Sequence, residues 1–311
     1  MRILIAGTGA VGGFFGAALA RAGHDVTFLA RGANLAALRA SGLTVESVDG
    51  DFHVSRITAV DDVGGLAPFG LVLFTVKSYD TVAVARQIAS VVREDTVVLS
   101  LQNGVENETS LASVLDLPPL MGAMTEIGAE LVAPGVVRHV AEGTIFFGEL
   151  TGHESPRGRN LATLFTEAGV RHRFTREIAV QLWGKLMWNA SHNAVTAITH
   201  TTAGAAAKIP ETAEVLRAAM HEVVAVARAQ GILLDPARVE TTVAFSRDHL
   251  GALRTSMLQD LERGRRLEYE AINGAVVRFG EAVGVPTPVN RTLYGLLAAL
   301  DPARTDSRPP R

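Results

Sequence analysis

Residues Gly7-Thr8-Gly9-Ala10-Val11-Gly12 spell G-x-G-x-x-G directly after the apolar run Arg2–Ala6 and directly before a helical stretch that reaches Arg21, with Gly23 as its stop. Few local structures suit that arrangement. The first glycine permits a tight turn, the second lets a pyrophosphate approach the backbone, and the third lets the helix pack closely on the strand. The helix start behind them offers amide donors and the positive end of a dipole. The pattern therefore reads as a dinucleotide-binding turn, against the alternative of a glycine-rich turn that only packs closely.

The 18 residues Ile3–Ala20 carry no charge and lie between Arg2 and Arg21, which imitates a signal peptide or a short membrane span. Five glycines and Thr8 interrupt the run, and a second strand-like segment follows it, so the membrane reading is set aside. The 48% hydrophobic and 20% charged residues of the 311-residue chain suffice for two cores. A net charge of −3 gives no footprint for nucleic acid or for an anionic membrane surface. With no cysteine, disulfides, thiolate metal sites and cysteine nucleophiles are excluded. The nine histidines show no metal-ligand spacing, and neither a G-x-S-x-G elbow nor a Walker lysine loop is present. The expectation is a cytoplasmic protein without metal, nucleic-acid or membrane partners.

Strand-like runs recur at Asp25–Ala30, Leu71–Thr75, Thr96–Leu101 and Leu120–Met124, separated by helical segments near 79–92 and 105–115. This rhythm predicts a mostly parallel sheet covered by helices. Val136–His139 and Thr144–Gly148 read as a hairpin turned at Glu142-Gly143. Beyond 175 the periodicity is helical, near 177–200, 210–230, 236–249, 265–283 and 288–300. The predicted class is α/β, with a Rossmann-type N-terminal domain over 1–175 and an all-helical C-terminal domain over 176–304. The polar, proline-containing end, Asp301–Arg311, reads as a disordered tail, with 305–311 outside both domains.

Where the second strand ends, a carboxylate would bind the adenosine ribose; this chain has Leu29-Ala30-Arg31. Arg31 suits a 2′-phosphate, which points to NADPH, and Lys77, just past the third central strand, lies where it would assist; both also fit solvated surface positions. Asn103 ends another strand and either orients a ligand or makes a plain Asn-Gly turn. Lys185, Asn189 and Asn193 are spaced four apart on an apolar helix. They form either a buried polar stripe awaiting a ligand or an exposed face. Glu268 shares a predicted helix face with Ile272, while Arg265, Arg266 and Glu270 point outward; alone, Glu268 is an ordinary solvated carboxylate.

Taken in order, Gly7–Gly12, Arg31-Gly32, Thr75-Val-Lys77, Gln102-Asn-Gly104, Trp183-x-Lys185-Leu186 with Asn189 and Asn193, and Ser256-Met-Leu-Gln-Asp260 followed by Arg266-x-Glu268 and Asn273-Gly274 resemble the ketopantoate reductase (2-dehydropantoate 2-reductase) family over nearly the whole chain. The resemblance implies NADPH-dependent reduction of 2-dehydropantoate to (R)-pantoate, in pantothenate synthesis, in a cleft between two domains. It implies Lys185 as proton donor with Glu268 as its acidic partner. Gly7, Thr8, Gly9, Ala10, Val11, Gly12, Arg31, Lys77, Asn103 and Glu268 would hold NADPH/NADP+. Asn103, Lys185, Asn189, Asn193 and Ser256 would hold the 2-oxo acid. A related reductase of another 2-oxo acid stays open, because Thr201–Gly204 and Gly251–Thr255 lack two asparagines that the family often carries there. A non-catalytic dinucleotide sensor is a third reading, and a homodimer is left open.

Overall fold

The computed structural model describes residues 1–118 and 120–305. It divides the chain into two compact units: Met1–Gln102 with Glu106–Ile178, and Asn103–Val105 with Ala179–Arg311. Asn103–Val105, which the sequence reading assigned to the first domain, groups with the second unit.

In the first unit, β1 (Arg2–Ala6), α1 (Ala10–Arg21), β2 (Asp25–Leu29), α2 (Gly32–Ser41), β3 (Leu43–Ser47), β4 (Phe52–Val54), β5 (Thr58–Val60), β6 (Leu71–Phe74), α3 (Thr81–Ile88), β7 (Val97–Ser100) and α4 (Asn107–Leu115) come first. They are followed by β8 (Met121–Ala133), β9 (Val136–Glu149), α5 (Pro156–Glu167) and β10 (Arg171–Phe174). The strands β5-β2-β1-β6-β7 form one wholly parallel sheet. β1 is buried from Ile3 to Ala6, as a central parallel strand must be. Its alternation splits the core: Ile3 and Ile5 pack with Phe15, Leu19 and Phe28, whereas Leu4 and Ala6 pack with Phe74, Ile88 and Leu111. β2 lies on one side of β1 and β6 on the other, so strand order reverses at β1 and opens a crevice at the strands' carboxyl ends. The uncharged run Ile3–Ala20 thus becomes a strand, a turn and a helix, and among the described residues no helix is long and apolar enough to cross a membrane.

Two expectations for this unit fail. Leu120–Met124 does not join the parallel sheet; it begins β8, which pairs antiparallel with β9 beside β3, β4 and β10 in a second sheet. A short apolar run does not declare which sheet receives it. Nor is Glu142-Gly143 a hairpin turn. The hairpin turns at Pro134-Gly135, where Ala133 pairs with Val136 and Gly135 has φ 74°. β9 continues through Glu142 (φ 60°) and Gly143 (φ 106°), where the pairing steps from Glu126–Thr144 to Ile127–Glu142. Gly143 is the extra residue of a bulge, which needs the same left-handed backbone as a tight turn.

Glu108, in the first turn of α4, is buried, and burial pushes its carboxyl up to about 7 although the Ala123 amide donates to it at 3.5 Å. Because the folded value lies above the ordinary 4.5, the stability linked to this group is full below that value and is lost as pH rises through about 7. The loss is on the order of 3 kcal/mol. Glu108→Gln cannot ionise, so its urea midpoint should fall less than that of the unaltered chain between about pH 5 and about pH 8. Equal falls in both proteins would overturn this assignment.

The second unit is helical: α6 (Ile178–Trp188), α7 (Ala194–Thr199), α8 (Ala203–Lys208), α9 (Pro210–Ala229), α10 (Arg238–His249), α11 (Ser256–Glu262), α12 (Ala275–Val283), α13 (Pro288–Leu300) and α14 (Pro302–Thr305). Pro210 sits in the first turn of α9, where its missing N–H loses nothing, and Gly284 ends α12 with φ 71°. α9 places Leu216, Met220, Val223 and Ala227 on one stripe against Leu186, Val195, Val276 and Leu293. The short α8 escaped the sequence reading; Thr202 caps it, and Ala203 and Gly204 donate to Leu253 O and Leu250 O. The tail read as disordered begins with order: Asp301 is buried and accepts from the Leu267 amide at 3.1 Å, and residues 302–305 are α14. Residues 306–311 of that tail lie outside the described residues.

Two π turns, Asn189–Asn193 and Glu270–Gly274, interrupt the helical path. Each widens the helix by one residue and leaves carbonyls without their usual acceptor geometry. Asn273 in the second turn donates to Ala190 O in the first at 2.8 Å and to Asn290 Oδ1 at 3.1 Å. Asn290 in turn donates to Ala219 O and to Glu222, whose carboxylate also accepts the amides of Val289 and Asn290. A buried polar network therefore ties the two π turns to α9 and α13.

Candidate active site

The first unit contributes a cradle at the end of β1. Gly7 adopts φ 104°, and a Cβ there would overlap Val76. Thr8 is buried and held twice to Leu29 O, through its amide and its hydroxyl, each at 3.0 Å. Thr75, just past β6, donates its hydroxyl to Gly7 O at 2.6 Å. Asn34 donates to Thr8 O at 2.7 Å and accepts the Gly135 amide at 2.8 Å, which pins the glycine turn to the β8–β9 hairpin. Neither Thr75 nor Asn34 was singled out from the sequence for this task.

The cradle fits a dinucleotide. Gly12 lies so close to Gly7 O, Thr75 Oγ1 and Ile5 that a Cβ would overlap all three, which sets α1 tightly on the sheet. At Gly9 a Cβ would meet nothing within 4 Å, so the space beside the helix start is open. The amides of Ala10, Val11 and Gly12 stand in the first turn of α1, where a helix leaves its donors without internal acceptors, and no acidic residue occupies that turn. Backbone donors, open space and a positive helix end are what a pyrophosphate requires.

On either side of the cradle, Arg31 follows β2 and Lys77 follows β6. Arg31 starts α2 and forms an ion pair with Asp80, Nη2 to Oδ2 at 3.0 Å, with its side chain 86% exposed. Lys77 is half-buried and begins the 3₁₀ turn Ser78–Asp80. Gln102, at the end of β7, donates to Val76 O at 3.0 Å and to Thr81 Oγ1 at 2.8 Å, anchoring that turn.

The second unit brings three of the predicted residues into one chain of contacts. Asn189 donates to Asn103 Oδ1, and Asn103 donates to Glu268 Oε2, each at a long 3.4 Å. Glu268 is 6% exposed, so it is not a solvated carboxylate. Nor is it helical: it lies in the irregular stretch before the second π turn, which corrects the helix expected over 265–283 and the face it was to share with Ile272. Arg265 and Arg266 are exposed as expected, but Glu270 is half-buried and accepts the Tyr294 hydroxyl at 2.9 Å.

Lys185 stands four residues before Asn189 on α6 and is half-buried, while Asn189 and Asn193 are buried. The stripe is thus neither an exposed face nor a continuous α-helical row, because the π turn runs from Asn189 to Asn193. Both polar atoms of the Asn193 side chain, which is 1% exposed, lack a hydrogen-bonding partner among the described residues. A buried amide in that state calls for a ligand or a water. Its neighbour His192 is stacked on Trp188 at 4.8 Å, and burial lowers its pKa to about 4, so it is neutral. Ser256 opens α11 as an exposed residue, and α11 packs on the first π turn without a bond from Ser256 to the Asn189–Asn103–Glu268 chain. Among the described residues no group of three His, Asp or Glu side chains is placed to hold a metal.

Comparison with known proteins adds an independent line. Residues 3–152 match the family described as Ketopantoate reductase PanE/ApbA, and residues 177–301 match its C-terminal counterpart. A 2-dehydropantoate 2-reductase of Archaeoglobus fulgidus is 37% identical over 301 residues, covering 96% of this chain and 98% of that protein. The crystal structure of a PanE/ApbA family ketopantoate reductase from Ralstonia eutropha is 36% identical, with a TM-score of 0.90 over 98% of this chain and 100% of that one. A complex of D-mandelate dehydrogenase with NADH is 25% identical, with a TM-score of 0.86 over 96% of this chain and 98% of that one.

Proposed function

The chain belongs to the ketopantoate reductase family, and on that premise we propose that it reduces 2-dehydropantoate to (R)-pantoate with NADPH, a step of pantothenate synthesis. The observation that carries the reading is the Asn189–Asn103–Glu268 chain in the second unit, set one helical turn from Lys185. A lysine, a buried carboxylate and two amides in one cluster are what proton delivery to a ketone needs.

A bound dihydronicotinamide supplies the hydride that C2 of the 2-oxo acid accepts. Lys185 donates a hydrogen bond to the ketone oxygen, stabilises the negative charge that builds there, and gives up its proton to complete the alcohol. Glu268 supports the ammonium form of Lys185 and, with Asn103, fixes the ribose next to the nicotinamide. Asn189 and Asn193 orient the substrate, the unsatisfied Asn193 amide finding its partners in it. Ser256 adds a hydroxyl for the substrate's polar end. Arg31 and Lys77 take the 2′-phosphate, and the Gly7–Gly12 cradle takes the pyrophosphate.

A second reading, reduction of another 2-oxo acid, is favoured by the segments that lack the two asparagines. There Thr202 donates its hydroxyl to Gly251 O at 2.7 Å, and its loop is closed by backbone bonds to Leu250 and Leu253, with no amide side chain to grip a hydroxyl. NADPH oxidation by the purified protein should be fast with 2-dehydropantoate and slow with branched and aromatic 2-oxo acids. Preference for one of the latter moves the substrate and keeps the mechanism. Dinucleotide binding with no accepted 2-oxo acid would overturn both in favour of a sensor.

A further inference from the structure

Asp80 closes the 3₁₀ turn that follows β6, and Arg31 stands just past β2. β2 and β6 are the two strands paired with β1, so the Arg31–Asp80 ion pair reaches across the carboxyl end of β1, where the glycine turn begins. Asp80 also directly precedes α3, a place where an aspartate ordinarily accepts an amide of the first helical turn. It makes no such bond; its carboxylate, with 28% of the side chain exposed, instead meets a guanidinium 49 residues away. Exposed ion pairs contribute little to folding, so stability does not explain why the cap is forgone.

We propose that Asp80 is a specificity-determining residue that competes with the adenosine 2′-phosphate for Arg31, weakening the preference for NADPH and leaving NADH acceptable. The inference rests on the reading of Arg31 as the phosphate's partner. A 2′-phosphate must displace the carboxylate from Arg31 and then sit beside it, like charge against like charge. NADH carries no such group, so Arg31 keeps its partner and nothing charged is left unpaired.

The test is the dissociation constant of each dinucleotide, measured by calorimetry without substrate, for the unaltered chain, Asp80→Asn and Arg31→Ala. Asparagine keeps the size of the side chain and removes its charge. Asp80→Asn should tighten NADPH by about tenfold and leave NADH within about twofold. Weaker NADPH binding in Asp80→Asn would show that the carboxylate positions Arg31 for the phosphate, and an unchanged ratio of the two constants would show that it plays no part; either result overturns the proposal while the phosphate reading stands. Equal losses of NADPH and NADH in Arg31→Ala would overturn the phosphate reading itself, and the competition with it.

Discussion

Lys185→Ala is expected to lower turnover on the preferred 2-oxo acid by about 10²–10⁴-fold and to leave NADPH affinity nearly unchanged. The side chain is half-buried on α6, and the apolar core of that helix is built by Trp183, Leu186 and Met187, so the unit should fold without it. On the proposed mechanism, what disappears is the donor that meets the alkoxide as it forms. Because that charge exists only in the transition state, kcat and kcat/KM should fall together. Lys185→Arg separates the two parts of the role. A guanidinium restores the positive charge but does not release its proton near neutrality, so it should recover little of the lost rate. Full activity in Lys185→Arg would reduce the residue to an electrostatic anchor, and full activity in Lys185→Ala would remove it from the chemistry.

Gly12→Ala should weaken dinucleotide binding by about a hundredfold and also lower stability by about 1–3 kcal/mol. The added methyl would overlap Gly7 O and Thr75 Oγ1, the two atoms that already share a 2.6 Å hydrogen bond, as well as Ile5 in β1. Relief requires α1 to lift from the sheet, and its first-turn amides then aim elsewhere. Gly9→Ala makes the control. Its methyl meets nothing within 4 Å in the protein, so thermal stability should hold while the methyl occupies the space proposed for the pyrophosphate. Normal dinucleotide affinity in Gly9→Ala would show that the phosphates lie elsewhere.

The parts of the molecule that were legible in the sequence are those fixed by local chemistry. The Gly7–Gly12 turn declares itself because strand, glycines and helix are contiguous, and the periodicity of α9 does the same over 20 residues. Glu142-Gly143 misled because one left-handed backbone serves both a hairpin and a bulge, and only the partner strand distinguishes them. The π turn at Asn189–Asn193 was hidden because one extra residue in a turn leaves the identities of the side chains untouched. The burial of Glu268 was out of reach for another reason: its partner Asn103 is 165 residues away, and the residues around Glu268 read by themselves as the solvated start of a helix.

The grouping of Asn103–Val105 with the helical unit means that the gene has no single cut that separates the two halves. A hybrid joined near residue 178 would take Asn189 and Glu268 from one parent and inherit Asn103, the asparagine that bridges them, from the other. Recombination between relatives, in nature or in the laboratory, is therefore constrained by three residues far upstream of the junction, and a functional graft must carry them along.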